Sequence, residues 1–160
     1  MQQALFAAGC FWGVQFYFDQ VPGISNTTVG YTGGHTKNPS YEAVCTHTTG
    51  HAEAVLLEFD QAKVTYEILV RQFFRMHDPT QLNRQGPDTG DSYRTAIFYF
   101  DDWQKQIAER IKKEVQPKFE QPIVTEIAAA TKFWPAEDYH QKFTERTGRG
   151  MCHVDYAPIS

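Results

Sequence analysis

The stretch Gln3–Gly13, QALFAAGCFWG, changes from one kind of local structure to another in about three turns' worth of chain. QALFAA is a short apolar run suited to a buried strand. Beyond Gly9 and Cys10, the apolar side chains Phe11, Val14 and Phe18 recur at i, i+3 and i+7, the period of a helix. Cys10 is therefore expected at a strand-to-helix turn, beside a helix N-terminus. Unpaired N–H groups and the positive end of the helix dipole favour thiolate there, and Gly9 and Gly13 leave the approach to sulfur open. On position alone, Cys10 is either a reactive nucleophile or a small buried core residue. Phe11 and Trp12 are either core aromatics or the wall of a pocket.

Strands and helices keep alternating outward from this turn. Ile24–Tyr31 (ISNTTVGY) is β-branched and strand-like, and runs into Gly-Tyr-Thr-Gly-Gly, read as a flexible loop. Ser40 is placed to cap a short helical turn from Tyr41 to Val44. His51–Phe59 reads as a strand, and Thr65 caps a helix with Tyr66, Leu69, Val70 and Phe73 on one face. DPTQLNRQGPDTGDSYR (78–94) is a long polar loop of the kind that is either functional or disordered. Thr95–Phe100 is a strand, and Asp101 caps a helix carrying Trp103, Ile107, Ile111 and Val115. Ile123–Ala130 is expected as the last long strand, and Pro135 as the start of a helix through Arg146. The tail from Gly148 has no regular period. This alternation implies an α/β sandwich, with a mixed sheet because several connections are short enough for antiparallel pairs.

The chain has 160 residues, no repeat and no linker, which suits one domain over 1–160 with an irregular tail at 147–160. Its formal charge of −4 gives no basic patch for nucleic acid. No apolar run approaches the roughly 20 residues of a membrane span, and Met1-Gln2-Gln3 does not read as a signal peptide. Three cysteines, an odd number, fit a reducing compartment, so a cytoplasmic location is expected. There, chemistry explains a cysteine better than a static cross-link does.

Glu53 is the second informative residue. Along its strand it shares a face with Val55, Leu57 and Phe59. A carboxyl group on an apolar face resists ionisation, and an acid that keeps its proton near neutral pH is a general acid. The alternative is a solvated residue at a frayed strand start. Cys45-x-His47-x3-His51, with His35 or His153, resembles a fragment of a metal site, but it lacks the paired elements of structural zinc sites. No metal and no other cofactor is expected. His51 is read as ordering the turn before Glu53, and Cys45 as a packing residue.

The segment Tyr41–Glu53 (YEAVCTHTTGHAE), taken with GCFWG and GYTGG, resembles the A-type peptide methionine sulfoxide reductases. The resemblance runs from Leu5 to about Phe143. It takes in His77-Asp78-Pro79-Thr80, the Gln85–Gly90 loop with Tyr93-Arg94, and Ala136–Gln141. It implies an α+β two-layer sandwich with a ferredoxin-like core, and thiol-dependent reduction of methionine S-sulfoxide, free or in oxidised proteins and peptides. By the same resemblance Cys10 attacks the sulfoxide sulfur, Phe11 and Trp12 receive the substrate methyl group, and Glu53 protonates the oxygen. Tyr41 and Tyr93 supply hydroxyls to that oxygen and acid, and Asp88 organises the network. Attack leaves a sulfenic acid on Cys10. Cys152 in the tail is the candidate to resolve it, thioredoxin the expected reductant, and a monomer the expected state. A peroxidase, a cysteine hydrolase or a metal-binding module is the rival reading. None of them accounts for GCFWG and the Tyr41–Glu53 block together.

Overall fold

In the computed structural model, which describes residues 1–150, the N-terminal apolar run is β1 (Gln2–Ala8). Its last five residues are all buried, as befits a central strand with no solvent face to supply with polar groups. α1 (Phe11–Asp19) follows, and β2 (Ile24–Thr32) returns along the sheet. After the short helix α2 (Tyr41–Cys45) comes β3 (Ala52–Phe59), then α3 (Tyr66–Met76). A small hairpin, β4 (Arg84–Gln85) and β5 (Asp88–Thr89), precedes β6 (Thr95–Tyr99). The principal strands lie in the order β6-β1-β3-β2, every neighbouring pair antiparallel. With α1 and α3 as the crossovers, this is the ferredoxin-like core.

α4 (Asp102–Val115) leads to β7 (Glu126–Ala129), which joins β6 in parallel, and β8 (Trp134–Pro135) joins the far edge of β2. Among the described residues the sheet therefore has six strands and is mixed. α5 (Phe143–Thr147) is the last described element. One sheet face carries Phe6, Val55, Leu57 and Phe59, packed under Val14 and Phe18 of α1, Leu69 and Phe73 of α3, and Ile111 of α4. The other carries Leu5, Ala54, Ala96 and Phe98, covered by Ala128, Ala130 and Phe133 in place of helices. Two layers result. Ser40, Thr65 and Asp101 each accept the N–H of the residue three ahead, so the three caps form as the sequence implies.

Five expectations are corrected. β2 includes Gly30 and Tyr31 as its strand reading implied and runs on to Thr32, so only the end of the GYTGG stretch, read as a flexible loop, forms the turn. The 78–94 loop has its own structure, the β4–β5 hairpin and a 3-10 turn at Asp91–Tyr93. Trp103 is 53% exposed; the buried stripe of α4 is Gln104, Ala108, Ile111 and Val115. Only its first two positions are displaced by one, because the Gln104 amide accepts from Phe100 N and donates to the carbonyl of Gln3; Ile111 and Val115 are buried as expected. The Ile123–Ala130 strand shrinks to four residues, since Val124 N donates to the Pro79 carbonyl and Lys112 Nζ to that of Thr125.

Pro135 opens no helix. A 3-10 turn at Asp138–His140 follows, Lys142 takes a left-handed φ of 58°, and only Phe143–Thr147 is helical. The cause is a side chain. Gln141 accepts the Val29 N–H (3.0 Å) and donates to the Val29 carbonyl (2.9 Å), so it pairs with the sheet edge as a strand residue would.

Candidate active site

β1 ends at Ala8, and Gly9 turns the chain with φ of +90°, a region that disfavours side chains. That turn leaves Cys10, half-buried, as the N-cap of α1. The first N–H of the helix, that of Phe11, donates to Glu53 Oε1 at 3.2 Å. Glu53 pairs with Tyr31 across β2–β3 and, by strand alternation, faces the helices with Val55 and Leu57. It is 1% exposed, so it is not a frayed, solvated end. Its Oε2 has no hydrogen-bond partner among the described residues. Burial pushes its pKa up to about 8; the Phe11 N–H opposes this and the charge of Asp88 adds to it. At neutral pH this is a carboxylic acid with its proton on.

Two tyrosine phenols lie within the electrostatic reach of that acid. Burial, and then the charge of Glu53, push the phenols of Tyr41 and Tyr93 well above the ordinary range. Both are hydrogen-bond donors at any working pH. Tyr93 also feels Asp88, Cys45 and Cys10, and Tyr41 is hydrogen-bonded to Cys45. The loop bearing Asp88 and Tyr93 is pinned from α2's side. His47 Nδ1 lies 3.3 Å from Ser92 Oγ and 3.6 Å from Asp91 Oδ1. Its ring lies so close over Gly90 (φ 128°) that a Cβ there would be 2.2 Å from Cε1.

Aromatic rings line the other side. Trp12 stacks on Phe143 with centroids 3.9 Å apart, and its Nε1–H donates to His140 Nδ1 at 2.9 Å. Since Nδ1 accepts, the His140 proton sits on Nε2, and burial, pushing the imidazole pKa down, keeps the ring neutral. His140 is itself buried, its centroid 4.4 Å from that of Tyr41 and 5.2 Å from that of Phe11. Phe11 is buried behind the half-exposed Trp12. Gly150, the last described residue, runs against the indole: a Cβ there would be 3.0 Å from Trp12 Cε3.

The chain matches the family described as Peptide methionine sulfoxide reductase over residues 2–160. It is 53% identical over 158 residues to the peptide methionine sulfoxide reductase MsrA of Pasteurella multocida, covering 98% of this chain and 91% of that one. The chain belongs to the peptide methionine sulfoxide reductase family. It is an enzyme that reduces methionine sulfoxide. Its structure overlays on methionine sulfoxide reductase A of Corynebacterium diphtheriae with a TM-score of 0.90 at 37% identity, covering 94% and 77% of the two chains. A further structural match is Mxr1 of Saccharomyces cerevisiae in complex with Trx2, with a TM-score of 0.65, 26% identity, and coverage of 89% and 84%.

Of the reductase residues singled out in the sequence, Cys10, Phe11, Trp12, Tyr41, Glu53, Asp88 and Tyr93 converge in this one region; Cys152 lies outside the described residues. The fragment Cys45/His47/His51 is dispersed. Cys45 bonds Tyr41, His47 holds the Gly90 turn, and His51 accepts the Gly34 N–H while its Nε2 lies 2.8 Å from the Thr36 carbonyl. His51 does order the turn before β3. Cys45, read as packing, is half-buried and also sits within the field of Glu53. Sequence reasoning gave no role to His140, Glu137 or Phe143. The signal for His140 and Glu137 was the block Ala136–Gln141, which carried resemblance but no assignable chemistry until the fold placed it beside Trp12; Phe143 marked only the end of the resemblance.

Proposed function

We propose that this chain reduces the S epimer of methionine sulfoxide, free or within oxidised proteins, through Cys10, and that thioredoxin recycles it in the cytoplasm. One observation carries the reading. A buried carboxylic acid with its pKa pushed up to about 8 is hydrogen-bonded to the first N–H of the helix that Cys10 caps. Sulfoxide oxygen is a poor leaving group until protonated, so attack on sulfur needs thiolate and acid together.

The Cys10 thiolate, favoured by the helix N-terminus, attacks the sulfoxide sulfur while Glu53 gives its proton to the oxygen. Tyr41 and Tyr93 donate hydrogen bonds to the same oxygen, and the charge of Asp88 helps to keep Glu53 protonated. Phe11 and Trp12 hold the methyl group. The substrate sulfur is reduced to a thioether, Cys10 is oxidised to sulfenic acid, and the oxygen ends on Cys10. Cys152 then attacks the Cys10 sulfur, water leaves with the oxygen, and a Cys10–Cys152 disulfide remains for thioredoxin to reduce. The yeast relative solved in complex with Trx2 supports the choice of reductant. The contact of Gly150 with Trp12, two residues before Cys152, supports the choice of resolving thiol.

The test is the disulfide map of the wild type after one turnover without reductant. A Cys10–Cys152 linkage is expected. A Cys10–Cys45 linkage, or turnover with thioredoxin that survives Cys152→Ser, would refute the resolving step.

A further inference from the structure

Glu137 gives one carboxylate to two sides of the site. Its Oε1 accepts the Tyr31 hydroxyl at 2.8 Å, and its Oε2 accepts the backbone N–H of Tyr41 at 3.0 Å. Tyr41 opens α2, whose five residues are far too few to hold a helix in place unaided. Ser40 takes the N–H groups of Ala43 and Val44 on its hydroxyl and carbonyl, but those bonds stay within the segment. The Glu137 bond ties the start of α2 to chain 96 residues away. That chain is the turn that also carries His140, the acceptor for Trp12, and the His140 N–H closes the turn on the Glu137 carbonyl at 3.0 Å. Through Tyr31, whose ring packs 5.7 Å from that of Phe11, the same carboxylate braces the back of the aromatic wall.

Burial pushes the Glu137 carboxyl up. The N–H of Tyr41, its own N–H, the Tyr31 hydroxyl and the nearby His140 outweigh that and hold it below the ordinary range. It is therefore ionised at neutral pH, and its bonds are charge-assisted.

We propose that Glu137 is a positioning residue for the Tyr41 hydroxyl: by fixing the first residue of α2 it sets where that hydroxyl meets the substrate oxygen. The proposal rests on the role given to Tyr41 above. A hydroxyl at the end of a long side chain amplifies any movement of its backbone, and a misplacement of about 1 Å costs up to roughly 10²-fold in rate.

The test is a double-mutant cycle on methionine formation in a single turnover at saturating substrate. Glu137→Ala is expected to slow the step by about tenfold, and by less than about twofold when Tyr41 is already Phe, because two groups acting as a unit are not additive. Glu137→Gln should recover most of the rate. Its amide oxygen still accepts the Tyr41 N–H, and its NH2 donates to the Tyr31 oxygen. Should Glu137→Ala melt too low to assay, Glu137→Asp, one methylene shorter, takes its place under the same criterion. Equal losses with and without the Tyr41 hydroxyl, or no recovery in Glu137→Gln, would overturn the proposal and leave Glu137 a residue that merely stabilises the fold. If Tyr41→Phe alone changes nothing, the role of Tyr41 fails first, and the proposal falls because nothing is left to position.

Discussion

Replacing Glu53 by Gln should make the enzyme much slower and, near neutral pH, more stable. The pKa of about 8 against an ordinary 4.5 means that the folded environment, burial foremost, disfavours the ionised carboxylate by a net of roughly 5 kcal/mol, at about 1.36 kcal/mol per pH unit. At pH 7 the folded protein keeps about nine-tenths of Glu53 protonated, whereas an ordinary carboxyl would be protonated in only about three molecules per thousand. The folded state thus binds a proton that the unfolded state has lost, and stability falls as pH rises from about 4.5 to about 8. Integrated to pH 7, that loss is about 3 kcal/mol; at pH 5 it is only about 1 kcal/mol. A neutral amide escapes it. Melting curves of wild type and Glu53→Gln should therefore diverge with pH, by up to roughly 6–12 °C at pH 7 and about 2–4 °C at pH 5. Unmet hydrogen bonds of the amide reduce both figures alike. The single-turnover rate of the variant should fall by about 10²–10⁴, the usual contribution of a general acid. An unchanged rate would place the proton donor elsewhere. A melting difference that does not grow with pH would show that Glu53 is not held protonated by burial.

Cys10→Ser should abolish sulfoxide reduction, because a serine hydroxyl does not attack sulfur at neutral pH; turnover within about tenfold of wild type would contradict it. Trp12→Ala removes both the stack on Phe143 and the bond to His140. Its KM should rise by about tenfold, equivalent to about 1.4 kcal/mol of lost binding, and a normal KM would deny the ring its place in the methyl pocket. Gly90→Ala forces a Cβ against the His47 ring at a φ that only glycine favours, so it should cost about 1–3 kcal/mol. His47→Ala in the same chain should recover part of that, and an unshifted melting temperature in Gly90→Ala would show that the turn is not under this constraint.

The half of the fold that local chemistry determines was legible in advance. A strand, a glycine and a helix in succession placed Cys10, and alternation along His51–Phe59 put Glu53 on the core face. Ser40, Thr65 and Asp101 cap as their side chains dictate. The chain beyond Pro135 was misread because its pattern is compatible with a helix, while its actual conformation is set by remote partners. Gln141 replaces a neighbouring strand on Val29, and Lys142 Nζ bridges to Asp19 Oδ1 at 2.8 Å. Neither partner is visible in the local sequence. The same holds for His140, which lies 128 residues from the indole it orients. Trp103 misled for a different reason: a glutamine whose amide is satisfied on both sides is as good a core residue as an apolar one.

The central claim is that Cys10 attacks a sulfoxide whose oxygen faces Glu53 and whose methyl group faces Phe11 and Trp12. It is tested most directly with the Cys152→Ser variant, exposed without reductant to each resolved epimer in the presence of a sulfenic-acid trap, with methionine release and the mass of the Cys10 peptide measured together. The S epimer should release one methionine per chain and leave one trapped adduct on Cys10, and the opposite epimer should do neither. An adduct on Cys45, or equal release from both epimers, would contradict it.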